Sequence, residues 1–171
     1  MDIIDALVSH HQELRKLYQA SESDASRFDE FVRHLVVHHT MEEKYFYDLL
    51  QKVADARRDS LEAVNEHHII ELIIKDAEGF PKDHGGFPIK VEGLGEYTSH
   101  HLDEEEAEIF PMARARFSPE DLMILGKLFL EAKQKMLAIE LPEVPAQINQ
   151  RAAGSKQVQA SSQGLGIGSL K

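Results

Sequence analysis

The chain has 171 residues, a net charge of −11, 42% hydrophobic residues and no cysteine or tryptophan. That length suits one domain with a sizeable core. The acidic balance argues against nucleic acid and anionic membranes as partners, because both need basic patches. Without cysteine there is no disulfide framework and no thiolate metal site. No apolar run is long enough for a membrane span, and the start MDIIDALVSHH lacks a basic, apolar leader, so a cytoplasmic protein is expected.

Helical periodicity runs through most of the sequence. Ile3, Ile4, Leu7, Leu14, Leu17 and Tyr18 recur at three and four and predict a first helix opened by Asp2 or Asp5. SESDASR, residues 21–27, reads as a turn with capping side chains. A second helix is expected from about Ser26 to Val53, with Phe31, Leu35, Phe46 and Leu49 on one side. A third runs from Asp59 or Ser60 to about Glu78, with Val64, Ile70, Ile73 and Ile74 as its core face. GFPKDHGGFP is the clearest breaker in the chain. A fourth helix follows from about Ile89 to Arg116, with Pro111 expected to kink it or end it early. Ser118-Pro119-Glu120-Asp121 is a helix start, with Ser at the N-cap, Pro in the first turn and acids behind it. The fifth helix it opens reaches about Ala138. The Gly-, Ser- and Gln-rich remainder, residues 139–171, is expected to be a disordered tail. Four long helices with short connections predict an all-α, antiparallel up-down four-helix bundle in residues 1–138, with a short fifth helix.

Each of the four bundle helices carries an adjacent histidine pair: His10-His11, His38-His39, His67-His68 and His100-His101. Chance placement would give roughly 0.5 such pairs in the whole chain, so four are a feature to explain. A bundle builds metal sites from inward-pointing side chains on facing helices. Neighbours on a helix point about 100° apart, so only one of each pair can aim at a given point. On the fourth helix, Tyr97, His101, Glu105, Ile109 and Met112 share one line, while His100 lies with Glu96, Glu104 and Glu108 on an acidic, solvated one. His101 and Glu105 therefore face inward, one turn apart. On the second helix the same spacing fits both His38 with Glu42 and His39 with Glu43. Periodicity also leaves His10 and His11 open, and His67 and His68. The count is four histidines and two glutamates from four helices. Nitrogen and oxygen donors without sulfur suit iron or manganese. Six protein donors exceed the four that one zinc takes, and they fit two metals sharing carboxylates.

DALVSHHQELRKLY, HHTMEEKYFYDLL, NEHHIIELII and HHLDEEEAEIFPMAR together resemble the hemerythrin-like family, the bacterial HHE cation-binding domains, over residues 1 to about 135. The resemblance selects His11, which has Tyr18 at +7. It selects His38 with Glu42 through Phe46 and Tyr47 at +8 and +9. It also selects His67, and His101 with Glu105 through Pro111 at +10. It implies two irons in a diiron centre, bridged by oxo or hydroxo and by the Glu42 and Glu105 carboxylates. One departure stands out. The invertebrate oxygen carriers of the family place a fifth histidine four residues after the third helix's ligand, and this chain has Glu71 there. One iron is then expected to keep an open position unless Glu71, Tyr45 or another group fills it.

The remaining residues get plainer readings. Glu43 is expected to orient an imidazole, and Glu104 and Glu106 to be solvated or outer groups. His10, His39, His68 and His100 read as outer or surface groups, His84 as inert, and His34, one turn before His38, as a residue that could reach the rim. The functional expectation is a diiron protein that binds O₂, peroxide or NO in its core and acts in oxidative or nitrosative stress or in iron handling. Redox turnover of peroxide or NO is set against reversible O₂ carriage or sensing, iron sensing, and plain divalent-metal binding. A monomer or a homodimer is expected.

Overall fold

The computed structural model describes residues 1–138, so the expected tail at 139–171 lies outside the described residues. Helix α1 spans Ile3–Ser23 and opens on Asp2, whose carboxylate accepts the Asp5 N–H at 2.9 Å. Asp24 ends it and caps a 3₁₀ turn, Ala25–Arg27, its side chain accepting the Ser26 N–H. Helix α2, Phe28–Glu42, continues through a π-helical turn, Glu43–Tyr47, into a last α-turn, Asp48–Leu50. Helix α3 is Arg57–Glu78. Helix α4, Phe87–Glu104, runs through a second π-helical turn, Glu105–Ile109, to Phe110–Arg114. Helix α5, Pro119–Leu137, has Ser118 as N-cap, accepting the Asp121 N–H at 3.1 Å. No strand occurs among the described residues, and none of their helices is long and apolar enough to cross a membrane.

The ends of α2, α3 and α4 fall within two or three residues of expectation, the usual spread for helix termini. Pro111 does not stop α4 at once. Its ring would press on the carbonyl four residues back in a regular helix. The π-helical turn directly before it widens that stretch, and the helix goes on to Arg114.

The core is two apolar clusters with a polar layer between them. One holds Leu7, Met41, Phe46, Leu50, Ala63, Ile109 and Phe110, and the other Leu14, Leu35, Ile70, Leu94 and Leu102. Along α1 and α3 the first cluster precedes the second, and along α2 and α4 the order reverses, which is the up-down pattern. Between the clusters lie six buried histidines and two buried glutamates: His10, His11, His38, His39, His67, His101, Glu42 and Glu105. Helix α5 packs on α1 and α2, with Phe129 in the first cluster. Its seat against the N-terminus depends on Gly126. A Cβ there would lie 2.5 Å from the Met1 carbonyl oxygen and 2.7 Å from the Ile3 nitrogen.

Candidate metal centre

The polar layer is built from one stretch of each bundle helix. Glu42 follows His38 by one turn on α2, and Glu105 follows His101 by one turn on α4, so each carboxylate lies beside the imidazole of its own helix. His38 Nε2 lies 3.4 Å from Glu42 Oε2, and His101 Nε2 3.3 Å from Glu105 Oε1. From α1, His11 Nε2 comes within 3.3 Å of Glu105 Oε2. From α3, His67 Nε2 is 3.6 Å from Glu42 Oε2 and 3.9 Å from Glu105 Oε1.

These donors form two groups. In each group the donor atoms lie within 4.8 Å of one another, as they would around one ion: His11, His38, Glu42 and Glu105 in one, His67, His101, Glu42 and Glu105 in the other. Both carboxylates belong to both groups. The structure thus brings together His11, His38, Glu42, His67, His101 and Glu105.

The outer face of each imidazole is held as well. Nδ1 of His11 meets Glu106 Oε1 at 2.9 Å, that of His67 meets Glu43 Oε1 at 2.9 Å, and that of His101 meets Glu66 Oε2 at 2.7 Å. A carboxylate only accepts, so Nδ1 donates and the Nε2 lone pair turns inward. His38 Nδ1 faces His10 Nδ1 at 3.2 Å. With His38 donating there as well, all four Nε2 atoms point into the layer. Glu106 is fixed in turn by Arg15 at 2.8 Å. Glu43 plays the expected orienting part. Glu106, expected to be solvated or outer, is the partner of His11. Glu66 was missed, although it directly precedes the third histidine pair.

Within the layer, several buried atoms have no hydrogen-bond partner: His11 Nε2, His38 Nε2, both Glu42 oxygens and Glu105 Oε2. Each such atom costs about 1–3 kcal/mol when left unsatisfied. Lone pairs and carboxylate oxygens facing one another lack a positive charge between them, and a metal cation supplies it. The donor set fits a hard or borderline divalent ion.

The titration behaviour fits the same picture. Burial, reinforced by the Glu105 charge, holds the Glu42 carboxyl well above the usual range. Burial would push Glu105 the same way, but His101, His11 and His67 outweigh it and bring Glu105 down to about 2. Burial is likewise outweighed at His101, which Glu105 and Glu66 raise to about 9. Its extra proton bridges to His67 Nε2, 2.9 Å away, in the place a cation would take. Burial, then the neighbouring histidines, push His38 and His39 well below the ordinary imidazole value.

The aromatic beside the site is Tyr47 rather than Tyr45. Tyr47 is fully buried and its hydroxyl donates to Glu105 Oε1 at 2.5 Å. The π-helical turn is the reason. A residue five after Glu42 would point about 140° away in a regular α-helix, but a π-helical turn returns it to the same side. Phe110, five after Glu105, is brought back the same way and lies 5.4 Å from the His11 ring. Tyr45 instead packs half-buried on the first apolar cluster. Glu71 is exposed and lies 3.9 Å from Lys75, so it does not reach the layer.

The other histidines fall into three classes. His68, His84 and His100 are exposed. His34 is half-buried on the rim, 3.5 Å from Glu13. His10 and His39, expected to be outer or surface groups, are buried: His10 lies 6.2 Å from Phe129 of α5, and His39 stacks on His67 of α3. A cavity of about 210 Å³ opens between α3 and α4, lined by Asp59, Glu62, Glu66, Glu104, Glu105 and Glu108, with Ala63 and Ile109.

A family model described as Hemerythrin HHE cation binding domain matches residues 2–113. The chain is similar to the crystal structure of a hemerythrin HHE cation binding domain-containing protein from Mycobacterium kansasii, at 16% identity and a TM-score of 0.71, covering 95% of each chain. At that identity the likeness establishes the fold. No curated protein matches the chain.

Proposed function

We propose that this chain, which belongs to the hemerythrin HHE cation-binding family, holds two iron ions side by side in its core and uses them for redox chemistry on peroxide or NO. The observation that carries the reading is the sharing of Glu42 and Glu105 by both donor groups. A single ion has no use for two sets of histidines on opposite sides of the same carboxylates. Two adjacent ions do, and bridging carboxylates offset the charge between them. His11 and His38 would hold one ion, His67 and His101 the other. Imidazole and carboxylate donors without thiolate suit iron. Bound iron supplies the electrons and the site for a small ligand.

The chain's own groups do the rest. Glu106, His10, Glu43 and Glu66 keep the four Nε2 lone pairs aimed inward. Tyr47 keeps its proton, since burial and then the Glu105 charge push its hydroxyl well above the ordinary value, and it donates that proton's hydrogen bond to Glu105. The apolar clusters above and below the layer exclude bulk water.

Peroxide added to the iron-loaded protein tests the reading. Catalytic loss of peroxide, or reduction of NO by the reduced protein, is expected. A stable oxygenated spectrum that reverses on removing O₂, with no turnover, would make the protein a carrier or sensor instead.

A further inference from the structure

We propose that His39 is a seventh protein ligand, to the ion held by His67 and His101; this rests on the two-metal reading above. His39 is buried, and neither ring nitrogen has a hydrogen-bond partner. A neutral imidazole buried with its donor and its acceptor both idle is costly. The nitrogens of His39, His67 and His101 lie within 4.8 Å of one another, all three buried. The His39 ring stacks on His67 at 3.9 Å and lies 5.9 Å from His101. Its neighbour His38 sits beside His11 instead, at 4.8 Å.

The roughly 100° between neighbouring helical residues explains the split. Helix α2 gives His38 to the α1 side of the layer and His39 to the α3 and α4 side, with Glu42 between them. The pair on this helix is thus two ligands, one for each ion. His39 also accounts for the missing fifth histidine. The third helix has Glu71 where that residue would stand, and Glu71 is exposed.

A second trio, His10, Glu13 and His34, meets the same distance limit but fails on proton bookkeeping. With His38 Nδ1 as the donor in its contact with His10 Nδ1, as the inward-facing His38 Nε2 requires, His10 Nε2 carries the hydrogen and cannot ligate. Lys133 Nζ, 2.5 Å from Glu13, already neutralises that carboxylate. His39 has no such partner.

The test is anaerobic titration of the full metal-free chain with Fe(II), and with Co(II) as a visible probe, for wild type, His39→Phe and His39→Ala. Phenylalanine keeps the stacked ring and removes the donor. Far-UV circular dichroism and thermal melting of the metal-free proteins check that both variants fold. Wild type is expected to take two ions. Both variants should bind one ion as wild type does and the other at least about tenfold more weakly, with an altered Co(II) spectrum. Added imidazole should restore the wild-type spectrum to His39→Ala and not to His39→Phe. Two ions bound by His39→Phe with wild-type affinity and spectrum would overturn the assignment and leave the two-metal reading standing. Fewer than two ions in wild type would overturn both.

Discussion

Tyr47 and Glu105 come from different helices, are both buried, and meet at 2.5 Å, hydroxyl to carboxylate. A hydrogen bond to a charged acceptor contributes about 1.5–3 kcal/mol. It also sets where a shared carboxylate stands. Tyr47→Phe is expected to keep both ions and to lower their affinity about tenfold, as read by competition with a chelator. Tyr45→Phe, which touches no candidate ligand, should change neither ion.

The sharing of carboxylates makes the two ions unequal in their demands on single residues. Glu42→Ala and Glu105→Ala each remove a donor from both groups and are expected to abolish binding of both ions. His11→Ala should lose one ion and keep the other. Elemental analysis of the purified variants checks this, and one ion retained in both glutamate variants would argue against bridging.

Metal uptake should release protons. His101, raised to about 9 mainly by Glu105 against the opposing effect of burial, carries a proton at pH 7 in the metal-free protein. An ion that takes its Nε2 must displace that proton. At least about one proton per chain is therefore expected at pH 7, fading as the pH approaches 9. Apparent affinity should rise with pH over the same range. An indicator dye in weak buffer reads the release, and release that grows towards pH 9 would contradict the assignment.

Two glycines separate packing from propensity. Gly126→Ala would drive a methyl into the backbone of residues 1–3, with the nearest atom at 2.5 Å, and is expected to cost about 2 kcal/mol. At this chain length that is roughly 4–8 °C in melting temperature. Gly93→Ala, on α4 with nothing within 4 Å of the new methyl, should stabilise by about 0.5–1 kcal/mol.

The helices were legible in the sequence because their apolar residues recur at helical spacing and their breaks fall on glycine and proline. His101 with Glu105 was legible for the same reason, since the competing line through His100 is wholly acidic. His38 and His39 were not separable, because α2 has helices on more than one side and both of its histidines are buried. Tyr47 was out of reach for another reason. A π-helical turn leaves no mark in the period of the sequence, and it is that turn which brings the residue five after Glu42 back to the site. Glu66 and Glu106 sit one position off the inward line of their own helix and act on a histidine of another, a relation that no single helix reveals.

Anaerobic Fe(II) titration of the metal-free chain, followed by iron analysis after desalting, tests the central claim most directly. Two irons per chain in wild type, and none in Glu42→Ala and Glu105→Ala, is the result expected of a centre built on two shared carboxylates. One iron per chain, or iron lost on desalting, would contradict it.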